Sequence, residues 1–264
     1  MPGQSGSRGS TQSVPPQGAL LKRFPAIILD VNGTLLGYED PHGFEKRFAS
    51  ACRDLGEPVT AAQVHEALTN LVEEWVQIRR QGIRRASSGE QYRRTMTWGY
   101  RRMLEGLGVD GDAEQKARSL YERFIVQEGF MPPFSDARPT LEGLKARGHR
   151  LGVLSNFPPH LEKTLARHGL RRHIDFVVVS SLVGLEKPDP AIFWLAIARS
   201  GWPRERILYI GDDLNDDIRG ARAVGLRAVL IDRHDRWSEV DCAKIRRLSE
   251  MLQPGFLTAC GVEG

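Results

Sequence analysis

Cysteine is scarce in this chain of 264 residues: Cys52, Cys242 and Cys260 are the only three. They are too few and too scattered for a disulfide framework or a thiolate zinc site. No run approaches the roughly 18 apolar residues that a membrane span needs. The first 20 residues are rich in Gly, Ser, Gln and Pro and lack the apolar centre of a secretory signal, so residues 1–20 are expected to form a disordered tail. The cytoplasm is the expected address, and neither a membrane partner nor an internal repeat is read.

The rest suffices for a folded enzyme. With 41% hydrophobic and 27% charged residues, one sizeable core and a small accessory domain can be built. The formal charge of +4 and pI near 9.1 raise the question of a nucleic-acid partner, which the distribution answers against. Much of the excess lies in Arg79-Arg80, Arg84-Arg85, Arg93-Arg94 and Arg101-Arg102, interspersed with Trp75, Tyr92 and Trp98 at helical spacing. Such arginines form a solvated helical surface, or one or two of them reach over a site to hold an anion.

Four apolar runs carry the strongest signal. Ala26-Ile27-Ile28-Leu29 leads into Asp30-Val31-Asn32-Gly33-Thr34, and Leu151-Gly152-Val153-Leu154 into Ser155-Asn156. Phe176-Val177-Val178-Val179 leads after a short loop to Glu186-Lys187-Pro188, and Ile207-Leu208-Tyr209-Ile210 to Gly211-Asp212-Asp213 and on through Asp217. Short β-branched runs of this kind read as buried strands. In an open parallel sheet their carboxyl ends share one edge, so the polar residues converge.

Between residues 40 and 130 the pattern is helical, with helices expected at 43–55, 61–80, 89–107 and 113–127. From Pro132-Pro133 strands and helices alternate, with helices at 139–147, 159–168, 190–199 and 217–224 and a fifth strand at 228–231. The expected fold is α/β, a doubly wound Rossmann-like parallel sheet with a helical cap inserted after strand one. The core takes residues 21–39 and 131–255, the cap 40–130, and residues 256–264 a C-terminal tail.

In order and spacing, Asp30 to Thr34, Leu154-Ser155-Asn156, Lys187-Pro188-Asp189-Pro190, and Gly211-Asp212 through Gly225 resemble the four motifs of the haloacid dehalogenase superfamily. That resemblance implies a hydrolase, most often a Mg²⁺-dependent phosphatase acting on a small phosphorylated metabolite. It implies Asp30 as nucleophile, with Asn32 and Lys187 completing the catalytic set. Thr34, Ser155, Asn156 and Lys187 are the implied substrate-binding residues. The implied metal ligands are Asp30, the carbonyl of Asn32, and Asp212, with Asp217 supporting the metal shell or the lysine. Crowded carboxylates must protonate or bind a cation, and an all-oxygen set suits Mg²⁺.

Asn32 departs from the pattern. Family phosphatases carry Asp there to protonate the leaving oxygen, which an amide cannot do, and such assistance is worth about 10²- to 10⁴-fold. Three outcomes stay open: a phosphatase limited to good leaving groups, a slow enzyme whose phospho-aspartate persists, or a member that binds without turnover. A 2-haloacid dehalogenase is the alternative, since those enzymes also lack Asp at this position, although they typically lose the acid that stands here as Asp212. Substrate identity and oligomeric state are not legible.

Overall fold

The structure, a computed structural model, describes residues 23–81, 83–109, 111–127 and 131–256. The expected tail over residues 1–20 lies outside them. Six strands form one fully parallel sheet: β1 Ala26–Leu29, β2 Arg150–Ser155, β3 Phe176–Val179, β4 Ile207–Gly211, β5 Arg227–Ile231 and β6 Ala243–Ile245. Their order is β3-β2-β1-β4-β5-β6. β1 and β3 are buried along their whole length, as continuous apolar runs must be when helices cover both faces.

Each face has its own packed cluster. Ile27, Leu29, Leu151 and Val153 pack with Leu141 and Leu144 of α5 (Ala137–Ala146) and Leu161 and Leu165 of α6 (Leu161–Arg167). On the other face, Ile28, Tyr209 and Leu230 meet Ile192, Phe193 and Ala196 of α8 (Pro190–Ser200). The sequence fixes both ends of α8. Asp189 accepts from the Ala191 amide, Pro190 supplies the first turn, and Gly201 closes it at φ 73°.

The insertion between β1 and α5 holds α1 Gly43–Asp54, α2 Ala61–Arg80, α3 Gly89–Gly106 and α4 Ala113–Tyr121. It buries a third cluster around Phe48, Leu71, Tyr100, Met103 and Phe124, against which Trp75 and Trp98 stack edge to face at 5.1 Å. No helix among the described residues is long and apolar enough to cross a membrane.

Several boundaries differ from the sequence reading. The helix expected over 113–127 is α-helical only to Tyr121 and then widens into a π-helical segment, Glu122–Gln127. The one expected at 217–224 begins earlier, as a π-helical segment Leu214–Arg219 followed by α9 Gly220–Ala223. Such widening often marks functional loops and leaves no periodic signature. A one-turn helix after β3, α7 Ser180–Val183, and the short edge strand β6 were not expected. Phe256, assigned to a C-terminal tail, is instead buried in the core cluster.

Candidate active site

The crevice of a doubly wound sheet opens where the strand order reverses, here between β1 and β4. Leu29 pairs in register with Ile210, and the Asp30 amide donates to the Ile210 carbonyl at 2.9 Å. Asp30 thus lies just past β1, and Asp212 just past β4. Gly33 turns the intervening loop at φ 70°, and a Cβ there would stand 2.2 Å from Asp212 Oδ2. Both the positive φ and the close approach require glycine.

Asp30, Asp212 and Asp217 bring one carboxylate oxygen each to within 4.8 Å of one another. Lys187 is the cation among them, with the whole residue only 3% exposed. Its Nζ donates to Asp30 Oδ1 at 2.7 Å and to Asp217 Oδ1 at 2.5 Å. Burial pushes the Asp30 carboxyl up to about 6 despite the lysine, and Asp212 up to about 7, with Asp217 and Asp30 adding repulsion. Lys187 is held above its ordinary range because its two carboxylate partners outweigh desolvation.

The acids of the fourth motif divide their work. Asp217 is committed to hydrogen bonds: Oδ1 accepts from Lys187 and from the Tyr209 hydroxyl at 2.7 Å, and Oδ2 from the Asp213 amide at 3.0 Å. Asp213 caps the π-helical segment by accepting from the amides of Asn215 and Asp216. Asp212 receives Arg236 on Oδ2 at 2.8 Å. That arginine side chain is 50% exposed, so the pair is screened and contributes little.

The remaining residues are sorted by the same geometry. Asn32 is partly buried, and its Oδ1 has no hydrogen-bond partner among the described residues. Thr34, expected at the substrate, is fully buried, with Oγ1 likewise unpartnered. Ser155 ends β2 in register with Val179 and is buried. Asn156, also expected at the substrate, has its side-chain amide engaged with the main chain of Lys187.

Sequence reasoning missed the seam between insertion and sheet. The Glu186 carboxylate accepts from the main-chain amides of Arg85 and Ala86, at 3.0 Å and 2.5 Å. Ser180 Oγ donates to the Ala86 carbonyl at 2.7 Å. Arg84 donates to the Gly184 carbonyl, and Arg85 Nη2 stands 3.4 Å from Asp216 Oδ2. Arg93, Arg101 and Arg102 instead form exposed pairs with Glu90, Glu105 and Glu74. The reading as a solvated helical surface therefore holds for Arg93, Arg101 and Arg102, whereas Arg84 and Arg85 reach the loops at the sheet edge and bind a carbonyl and a carboxylate there. The side chains of Arg79 and Arg80 lie outside the described residues.

A buried lysine within three carboxylates thus sits at the switch point of a parallel, Rossmann-like α/β sheet. The chain belongs to the haloacid dehalogenase-like hydrolase family, whose model matches residues 24–225. It is 34% identical over 150 residues to a phosphoserine phosphatase of Thermus thermophilus, covering 56% of this chain and 60% of that one. It is 30% identical over 214 residues to a glyceraldehyde 3-phosphate phosphatase of Methanothermobacter thermautotrophicus, covering 78% and 85%. The first relative is thus spanned over less than two thirds of its length. Among solved structures, a 2-haloacid dehalogenase from Pseudomonas syringae is similar with a TM-score of 0.55 at 27% identity, over 86% of this chain and 96% of that one.

Proposed function

We propose that the protein is a Mg²⁺-dependent phosphatase for small phosphorylated metabolites, working through a phosphorylated Asp30. The observation that carries this reading is the buried trio of Asp30, Asp212 and Asp217 around Lys187. Three oxygen donors in so small a space, two of them with raised proton affinity, suit a hard divalent cation. Asp30, Asp212 and the main-chain carbonyl of Asn32 would hold the ion, with Asp217 left to Lys187. When bound, it would offset the negative charge of carboxylates and phosphate alike.

The chain's own groups then divide the chemistry. An oxygen of Asp30 bonds to phosphorus as the bond to the leaving oxygen breaks. Lys187 keeps Asp30 ionised and in place, and with Ser155 stabilises charge on the phosphoryl oxygens. Water then attacks phosphorus, freeing phosphate and restoring Asp30. Asn32 supplies no proton, so the leaving oxygen takes one from solvent, which favours acyl and aryl phosphates over alkyl esters.

The phosphatase names of the two relatives agree with phosphate-ester chemistry.

Asn32 and the similarity to a 2-haloacid dehalogenase favour a second reading, displacement of halide from carbon. That reaction leaves Asp212 without a task, since Asp217 holds Lys187 in either case. The experiment is a panel of phosphorylated metabolites and one 2-haloacid assayed with and without Mg²⁺. Phosphate release silenced by EDTA supports the phosphatase, and metal-independent halide release reverses the ranking.

A further inference from the structure

A second cluster of metal-ligating side chains lies in the insertion, away from the residues that end the strands. His42 stands immediately before α1, Glu45 in its first turn, and His65 in the second turn of α2. The spacing of three residues puts His42 and Glu45 on one face of α1, and the packing of α1 on α2 brings His65 to the same point. Glu45 is 4% exposed, whereas the two imidazoles are largely open to solvent at 59% and 57%.

The donor atoms are already arranged. His65 Nδ1 stands 2.9 Å and His42 Nδ1 3.5 Å from the same oxygen, Glu45 Oε1. The rings lie edge to face with centroids 5.5 Å apart, and all three donor atoms fall within 4.8 Å of one another. Ligands about 2.0–2.2 Å from a tetrahedral zinc ion stand roughly 3.3–3.6 Å apart. The His42 separation already matches that spacing and the His65 one falls short of it, so slight opening of the His65 contact brings three donors to the corners of a tetrahedron. The fourth corner falls to water.

We propose that His42, Glu45 and His65 form a zinc site that staples the start of α1 to α2. Two imidazole nitrogens and one carboxylate oxygen select a borderline-soft ion such as Zn²⁺ over Mg²⁺. The two clusters thereby sort the metals, all-oxygen at the sheet edge and nitrogen-rich in the insertion. Zinc takes the Nδ1 lone pair, so in the neutral imidazole the proton that Nδ1 shares with Glu45 moves to Nε2. The ion fixes the segment by which the chain enters the insertion, where the His42 amide donates to Asp40 and Asp40 pairs with Lys46.

The test is a zinc titration by calorimetry of the full-length protein, stripped by chelator and saturated with Mg²⁺ to occupy the sheet-edge site. Wild type, His42→Gln, His65→Gln and Asp212→Asn are compared, and each is melted with and without zinc. The expected result is one zinc per chain in wild type and in Asp212→Asn. Each histidine variant should bind at least about 10-fold more weakly, since losing even an outer partner of a metal ligand costs about 10- to 100-fold. Zinc should raise the melting temperature of wild type and not of the His65→Gln variant. Both histidines are exposed, so the variants fold, and unchanged melting without zinc verifies it. Absence of zinc binding in wild type, or affinity unchanged in the histidine variants, overturns the proposal. Loss of zinc only in Asp212→Asn would place the ion at the sheet edge and overturn it equally.

Discussion

The side chain of Asn156 and the main chain of Lys187 close a two-bond ring: the Lys187 amide donates to Asn156 Oδ1 at 2.8 Å, and Asn156 Nδ2 donates to the Lys187 carbonyl at 3.0 Å. β2 thereby grips the loop that carries the buried lysine. Asn156 is therefore expected to act through Lys187.

Asn156→Ala should therefore lower kcat with little change in KM. A misplacement of about 1 Å can cost about 10²-fold in rate, and a loss approaching that is expected. Asn156→Asp keeps the acceptor for the Lys187 amide and forfeits the donor, so it should fall between. Steady-state kinetics of the two variants decide this, and a rise in KM at constant kcat would return Asn156 to the substrate.

Acidity supplies a second expectation. Asp30 and Asp212, pushed up to about 6 and about 7 by burial, hold protons that carboxyls of the unfolded chain release near about 4. The folded state thus binds more protons in this window, and the stability contributed by these groups falls as pH rises from about 4 through about 7. Mg²⁺ should then stabilise the metal-stripped protein more at about pH 8 than at about pH 5. Asp212→Asn should melt higher than wild type without metal at the upper pH and lose most of the Mg²⁺ response. Equal Mg²⁺ responses at both pH values would contradict the assignment.

The seam yields a third. Glu186→Ala removes the acceptor for the Arg85 and Ala86 amides while leaving Lys187 paired. Hydrogen exchange at residues 84–88 should quicken, and KM should rise more than kcat falls, because the insertion loses its hold on the sheet edge. Protection unchanged from wild type would show that the seam depends on Ser180 and Arg84 instead.

Much of this arrangement was legible in the sequence, and the reasons are local. Buried parallel strands are uniform apolar runs, and carboxyl-end residues share an edge by topology, so Asp30, Lys187 and Asp212 could be brought together without coordinates. The two-bond ring of Asn156, the Tyr209 hydroxyl on Asp217 and the Glu186 seam could not. Each joins residues distant in sequence through an unremarkable side chain, and Tyr209 reads as one more apolar strand position. β6 escaped because three residues at a sheet edge carry no alternation. The histidine cluster spans two helices and has no compact motif.

Asn32 sets the rate in this account. Asn32→Asp should raise turnover on alkyl phosphates by an amount within about 10²- to 10⁴-fold, with a smaller gain on aryl phosphates, whose leaving groups need no proton. Asn32 precedes Gly33, a pairing prone to deamidation, so peptide mapping of fresh protein must accompany the kinetics. Wild type as fast as the variant on alkyl phosphates would show that another group carries the proton.

The central claim, phosphoryl transfer to Asp30, is tested most directly by rapid acid quench of the Mg²⁺-loaded protein turning over an aryl or acyl phosphate, followed by mass mapping of its peptides. The account predicts one phosphoryl group on the peptide bearing Asp30 in wild type. It predicts none in Asp30→Asn and a smaller steady-state amount in Asn32→Asp, which releases it faster. Turnover of the phosphate ester with no phosphorylated Asp30 in wild type, or turnover retained in Asp30→Asn, would contradict it.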